Sequence, residues 1–118
     1  QQGRPTAIFV ANDHMAGGVL GALQEAGRAV PDDVALAGFD DIPMARYLTP
    51  ALTTVHVDMF QMGERAVEML VDPERSARGG EERHEVLPTR LVVRGSCGAS
   101  HPRGPVADRG GPAPAVPR

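Results

Sequence analysis

The sequence predicts an α/β fold, a parallel sheet with flanking helices, and three observations predict it. Short apolar or β-branched runs alternate with segments whose apolar residues recur at helical spacing. Gly27, Pro31, Pro50 and Pro73 punctuate the chain where each periodicity changes. The length, 118 residues with 42% apolar, fits one domain at most and suffices for a real core.

Each element follows in order. Ala7–Ala11 (AIFVA) is a short apolar run expected to form a strand buried on both faces. Asn12-Asp13 then supplies a helix N-cap, with Asp13 the expected capping residue. Met15, Val19, Leu23 and Ala26 mark the buried face of the helix that follows, and Gly27 stops it. Gly17, Gly18 and Gly21 weaken this helix by up to about 1 kcal/mol each relative to Ala, so something is expected to approach it closely. Val30–Asp33 is a turn, and Val34–Gly38 is the next buried strand. Asp40-Asp41 follows, and Pro43 opens a short helix that ends before Pro50.

Leu52–Val57 (LTTVHV) reads as a strand, and Asp58 caps a second long helix. In that helix Met59, Met62, Gly63, Ala66, Val67 and Leu70 form an apolar stripe, and Pro73 closes it. Ser76–Glu85 is a charged loop, and Val86–Arg94 is a final strand whose Pro88 marks an edge or a crossing. From Gly98 onward nine of 21 residues are Gly or Pro, so 98–118 is expected to be a disordered tail.

Parallel sheets bind ligands beyond the carboxyl ends of their strands. Two polar clusters fall there, Asn12-Asp13-His14 and Asp40-Asp41. An amide and a carboxylate are the groups that grip adjacent sugar hydroxyls or base edges. Asn12 suits either a ligand contact or a cap. Of the acidic pair, Asp40 is assigned to the ligand and Asp41 to capping the short helix. Met59-Phe60 opens the second helix, where a side chain can cover a ligand or fill the core.

Composition removes several function classes. Residues 1–95 carry 9 Arg against 14 Asp and Glu, leaving -5, and the rest carry +2. An acidic body is a poor partner for a phosphate backbone, so this chain by itself is not expected to bind nucleic acid. Four aromatics are too few for stacking platforms. The single Cys97 excludes an internal disulfide, and no Cys/His spacing suggests a metal. No apolar run approaches the roughly 20 residues of a membrane helix, and no signal peptide is visible. The start at Gln1-Gln2 is that of a processed chain or an internal piece. A hydrolytic site built from Asp40, Asp41 and His14 would need converging carboxylates or a metal. No phosphate loop or nucleophile elbow accompanies them, so no catalysis and no cofactor are expected.

ANDHMAGGVLGAL (11–23), VPDDVALAGFDDIPMARYLTPALTTV (30–55) and LPTRLVVRGSCG (87–98) resemble, in order and spacing, the lactose- and galactose-repressor-type transcriptional regulators. The resemblance covers about residues 4–98. It implies the C-terminal part, residues 1–97, of a sensor with a type I periplasmic-binding-protein-like fold, and hence an incomplete two-lobe core. Residues 4–55 would belong to one lobe, helix 58–71 to the other, and strand 86–94 would cross back.

The resemblance further implies a cytoplasmic homodimer that senses a sugar-like effector. Operator DNA would be bound only through a helix-turn-helix absent from this chain. The effector contacts would fall on Asn12, Asp40 and Met59. Phe60 stands as a substitute for Met59, because the lactose repressor has an aromatic residue at that point. Val57-Asp58 departs from a Gln-Pro pair common in the family. Dimerisation would use Ala16, Gly17 and Leu20 on the first helix, and Arg46, Tyr47 and Leu48 before the L-T-T strand. A periplasmic sugar-binding protein shares the fold and is the alternative. A piece of a two-lobe core leaves apolar faces uncovered, so the isolated chain is expected to be marginally stable.

Overall fold

The computed structural model describes residues 4–71 and 84–99. The tail from Ser100 and most of the charged loop lie outside these residues, as does Pro73. Strand β1 (Ala7–Phe9) leads into helix α1 (Asp13–Glu25), then β2 (Ala35–Asp40), a short 3-10 turn (Pro43–Arg46) and β3 (Thr53–His56). Helix α2 (Met59–Val71), β4 (Arg90–Val92) and a second 3-10 turn (Gly95–Cys97) complete the chain. The sheet order is β1-β2-β3-β4. The first three strands run parallel, and β4 pairs antiparallel with β3.

The α/β reading holds, with corrections. β4 is an edge strand but is not parallel, because α2 does not serve as a crossover packed on the sheet and buries no side chain. β1 is the opposite edge and is not covered on both faces: Phe9 is 65% exposed while Ile8 packs on the core. β2 extends beyond the expected Gly38, so Asp40 is the last residue of the strand.

The core lies between α1 and one sheet face. Val10, Ala16, Leu20, Leu36, Ala45 and Leu52 form it, with Ile8, Val19, Val30, Ile42 and Leu48 packed around them. The inward stripe of α1 is therefore Asp13, Ala16 and Leu20, rotated from the expected one, and Met15 faces solvent. Of the expected stripe Val19 packs on the core and Leu23 is half-buried, whereas Met15 and Ala26 are exposed, because α1 sits close to the sheet where small Ala16 and the short carboxylate of Asp13 fit. α1 ends as expected: Gly27 takes a φ of +65°, and Arg28 N–H donates to Leu23 C=O at 2.8 Å. A side chain added at Gly17, Gly18 or Gly21 would meet nothing within 4 Å. The close approach expected at these glycines is not made within the described residues.

Two buried polar side chains lock the layers. Ser96 bridges β2 and β3: its hydroxyl donates to Leu36 C=O at 2.7 Å and accepts from Thr53 N–H at 2.8 Å. Asp13 is fully buried and is not the helix cap expected. Its Oδ1 accepts from the Thr54 hydroxyl at 2.6 Å, and its Oδ2 accepts from Ile42 N–H at 3.0 Å. A buried carboxylate is tolerated only with such partners. Gly38 makes room for it, since a Cβ there would lie 2.2 Å from Asp13 Oδ1 and 3.1 Å from Leu52 Cδ2. Both neighbours are fixed, one by hydrogen bonds and one by core packing. Gly38→Ala is therefore expected to cost about 1–3 kcal/mol, read by equilibrium urea denaturation, with loss of the native near-ultraviolet signal at lower urea.

Candidate functional site

The carboxyl ends of β1, β2 and β3 carry the polar residues that the sequence singled out. Asn12 follows β1 and caps α1: its Oδ1 accepts from Met15 N–H at 2.8 Å. The cap fixes the amide with its oxygen turned to the helix, which leaves the NH₂ group as a donor. The capping reading of Asn12 is thus shown, and it does not use the atoms that a ligand would need.

Asp40 ends β2 with a φ of +102°, and Asp41 follows at +56°. Both are left-handed values that favour glycine, and a run of two turns the chain sharply away from the strand. Asp13 holds that turn from below through Ile42 N–H, and Asp41 N–H lies 3.4 Å from the Thr54 hydroxyl. Among the described residues the Asp40 carboxylate has no hydrogen-bond or ion-pair partner.

Asp41 is the opposite case, and its expected role as a cap is corrected. The short helix Pro43–Arg46 has Ile42 at its N-cap and no side-chain cap. The Asp41 side chain is 8% exposed. Its Oδ1 accepts from Arg94 Nη2 at 2.6 Å, and its Oδ2 lies 3.0 Å from His56 Nδ1. Arg94 also donates through Nη1 to Leu52 C=O at 2.8 Å. Desolvation by burial opposes the charged carboxylate, but the hydrogen bonds and charges of Arg94 and His56 outweigh it and hold the Asp41 carboxyl below its usual range. A histidine within a strand is more often a satisfied structural residue than a ligand, which its bond to Asp41 fits. Neither His56 nor Arg94 is legible from sequence as a partner of Asp41, because neither stands near it in the chain.

Met59 and Phe60 lie on the first turn of α2, which Asp58 caps by accepting from Gln61 N–H at 2.9 Å. They are 50% and 76% exposed. Together with Gly63, Glu64, Val67 and Glu68 they line an open groove along α2. Neither Asn12 nor Asp40 lines that groove, so the structure does not bring the two pairs together in one pocket. Arg65 joins α2 to the segment before β4 by donating from Nε and Nη2 to the two carboxylate oxygens of Glu85, at 2.8 Å each. Arg65 also pairs with Glu68, and the acidic partners push its guanidinium pKa upward.

The expected dimer residues divide. Ala16 and Leu20 are spent in the core of the chain itself, at 0% and 3% exposure, and so are not on a free surface. Gly17 is partly buried and Leu48 packs against the core, whereas Arg46 and Tyr47 are exposed. Among the described residues no group of three or more His, Cys, Asp or Glu could hold a metal ion. No helix among them is long and apolar enough to cross a membrane.

The folded pKa of Asp41 lies below that of an unfolded carboxylate, so the pair with Arg94 contributes fully above about pH 3.9 and is lost as pH falls through the lower folded value. Asp41→Asn leaves Arg94 without its carboxylate and is expected to cost about 3 kcal/mol at neutral pH. It should also flatten the acid limb of a stability–pH curve measured by urea denaturation.

Comparison with known proteins places this geometry in a family. The periplasmic binding protein-like domain matches residues 1–97. A lactose operon repressor from Rhizobium radiobacter is 45% identical over 94 residues, covering 80% of this chain and 81% of that protein. The HTH-type transcriptional repressor PurR from Escherichia coli O1:K1 / APEC is 47% identical over 96 residues, which is 81% of this chain but 28% of the repressor. The crystal structure of a LacI family transcriptional regulator from Enterococcus faecium with bound ribose superposes with a TM-score of 0.67 at 34% identity. That match covers 77% of this chain and 34% of that one, so the chain spans about a third of the regulator's length. The protein belongs to the lactose- and galactose-repressor-type family of transcriptional regulators, and residues 1–97 fall within the family's periplasmic binding protein-like sensor region.

Proposed function

We propose that this chain is the effector-sensing and dimer-forming part of a DNA-binding repressor, and that its effector is a sugar or related polyol. The observation that carries the reading is the Asp40 carboxylate at the end of β2, without a partner among the described residues, in a turn whose other acidic residue, Asp41, is already paired. A carboxylate with free lone pairs accepts two hydroxyl protons, and the Asn12 NH₂ donates to a hydroxyl oxygen. Such a set suits a polyhydroxylated neutral molecule. Met59 and Phe60 extend the site as an apolar cover once α2 is brought over the strand ends. The ribose bound by the Enterococcus faecium regulator agrees with this chemistry.

Dimerisation falls on the outer side of α1 and the adjoining turn. Met15, Met44 and Tyr47 are 56%, 45% and 77% exposed there, beside the open positions of Gly17 and Gly18. A homodimer would cover this surface. DNA contact belongs to a helix-turn-helix outside this chain, consistent with the -5 on residues 1–95. The cellular setting that follows is the cytoplasm. Effector binding acts by favouring one relative setting of the two lobes, and with it one spacing of the DNA-binding units.

The test uses the full-length regulator, its operator and a panel of neutral monosaccharides that includes D-ribose. Operator affinity is followed by fluorescence anisotropy with and without each sugar. At least one sugar should change operator affinity in the wild type. Asp40→Ala should weaken the response to that sugar at least about 10-fold, the loss of one or more charge-assisted hydrogen bonds. Operator affinity without sugar should stay within about 2-fold. A full response in the variant would contradict the assignment.

A further inference from the structure

Three strand ends, not two, bring polar side chains to the carboxyl edge of the sheet. His56 is the last residue of β3 and the register partner of Asp40, the last residue of β2. Neighbouring strands lie about 4.8 Å apart, so the two residues are backbone neighbours at the carboxyl edge. The His56 side chain is 33% exposed.

The hydrogen bond to Asp41 fixes the chemistry of the ring. His56 Nδ1 lies 3.0 Å from Asp41 Oδ2, and the other oxygen of that carboxylate accepts from Arg94. The paired carboxylate is ionised at neutral pH and can only accept, so the proton in the contact is on Nδ1. In the neutral ring, Nε2 then carries a lone pair. No side chain or backbone group among the described residues bonds Nε2.

We propose that His56 is a third effector contact, accepting a hydroxyl proton at Nε2 beside Asp40, and that this pair of acceptors selects polyols with two adjacent hydroxyl groups. The inference rests on the reading of Asp40 given above. Two acceptors side by side require two donors, and a vicinal diol supplies both. A deoxy sugar leaves one acceptor unsatisfied, and a site built to bond a hydroxyl discriminates strongly against an analogue that lacks it. Asp41 does not touch the effector. It is a positioning residue that sets the tautomer, and Arg94 in turn holds Asp41.

The competing role for His56 is purely structural, as a donor to Asp41. His56→Asn separates the two, because the asparagine amide N–H occupies the place of Nδ1 while nothing occupies that of Nε2. The experiment is isothermal titration of the full-length regulator with D-ribose, D-galactose and D-glucose and with the monodeoxy analogues of each. The wild type should prefer at least one parent sugar to one of its deoxy analogues by 10-fold or more. His56→Asn should weaken that parent sugar 10-fold or more and leave the deoxy analogue within 2-fold, so that the preference collapses.

Equal binding of every parent and deoxy pair by the wild type overturns the inference without recourse to a variant. A wild-type preference retained in a folded His56→Asn protein overturns it as well, while loss of binding in Asp40→Ala keeps the reading beneath it intact. Undiminished binding in Asp40→Ala, or no binding of any of the three sugars, overturns that underlying reading and this inference with it.

Discussion

The structure depends on one buried carboxylate. Asp13 lies at the first position of α1, and its two oxygens reach two other parts of the chain, Thr54 on β3 and Ile42 after β2. Gly38 is the position that lets it do so, for any Cβ there would occupy the space of Oδ1. The contact sets how closely α1 rests on the sheet, and hence why Ala16, not a larger residue, faces inward. It also anchors the turn that begins with two left-handed aspartates. Together with the contacts of Asp41 to Arg94 and His56, that anchor holds Asp40 at the strand end in a strained conformation.

Three aspartates gathered around the turn after β2 therefore do three different jobs. Asp13 satisfies the interior, Asp41 forms a buried ion pair with Arg94, and Asp40 remains open. Since carboxylates are costly to bury and cheap to expose, their partners decide which is which. The same logic makes Asp41 a link between β2 and the segment after β4, 53 residues away. Ser96 adds a second link of this kind, stitching Leu36 to Thr53 where the β2–β3 ladder begins.

Much of the fold was legible because local patterns carry it. The strand and helix order, the Gly27 stop and the Asp58 cap follow from periodicity and capping chemistry. What failed was decided by distant partners. Asp13 looked like a cap and Asp41 like a second one, since Thr54 and Arg94 lie 41 and 53 residues further on. The buried face of α1 is legible at Val19 but not at its N-terminal end, where Met15 is exposed and the smaller Ala16 is buried against the sheet. The place of Asn12 and Asp40 at strand ends is legible from topology, whereas that of His56 needs the register that pairs it with Asp40.

The charge distribution takes on a definite meaning in this setting. Two of the acidic residues that leave residues 1–95 at -5, Asp40 and Asp41, stand at and just past the end of β2. Whether Asp40 alone of the three aspartates is offered to a ligand is decided by a crystal structure of the full-length regulator with its sugar bound. A sugar hydroxyl is expected within hydrogen-bond distance of the Asp40 carboxylate, with the Asp41–Arg94 and Asp13–Thr54 contacts unchanged. A sugar held by Asp41 or Asp13, or one lying away from the ends of β1, β2 and β3, would contradict it.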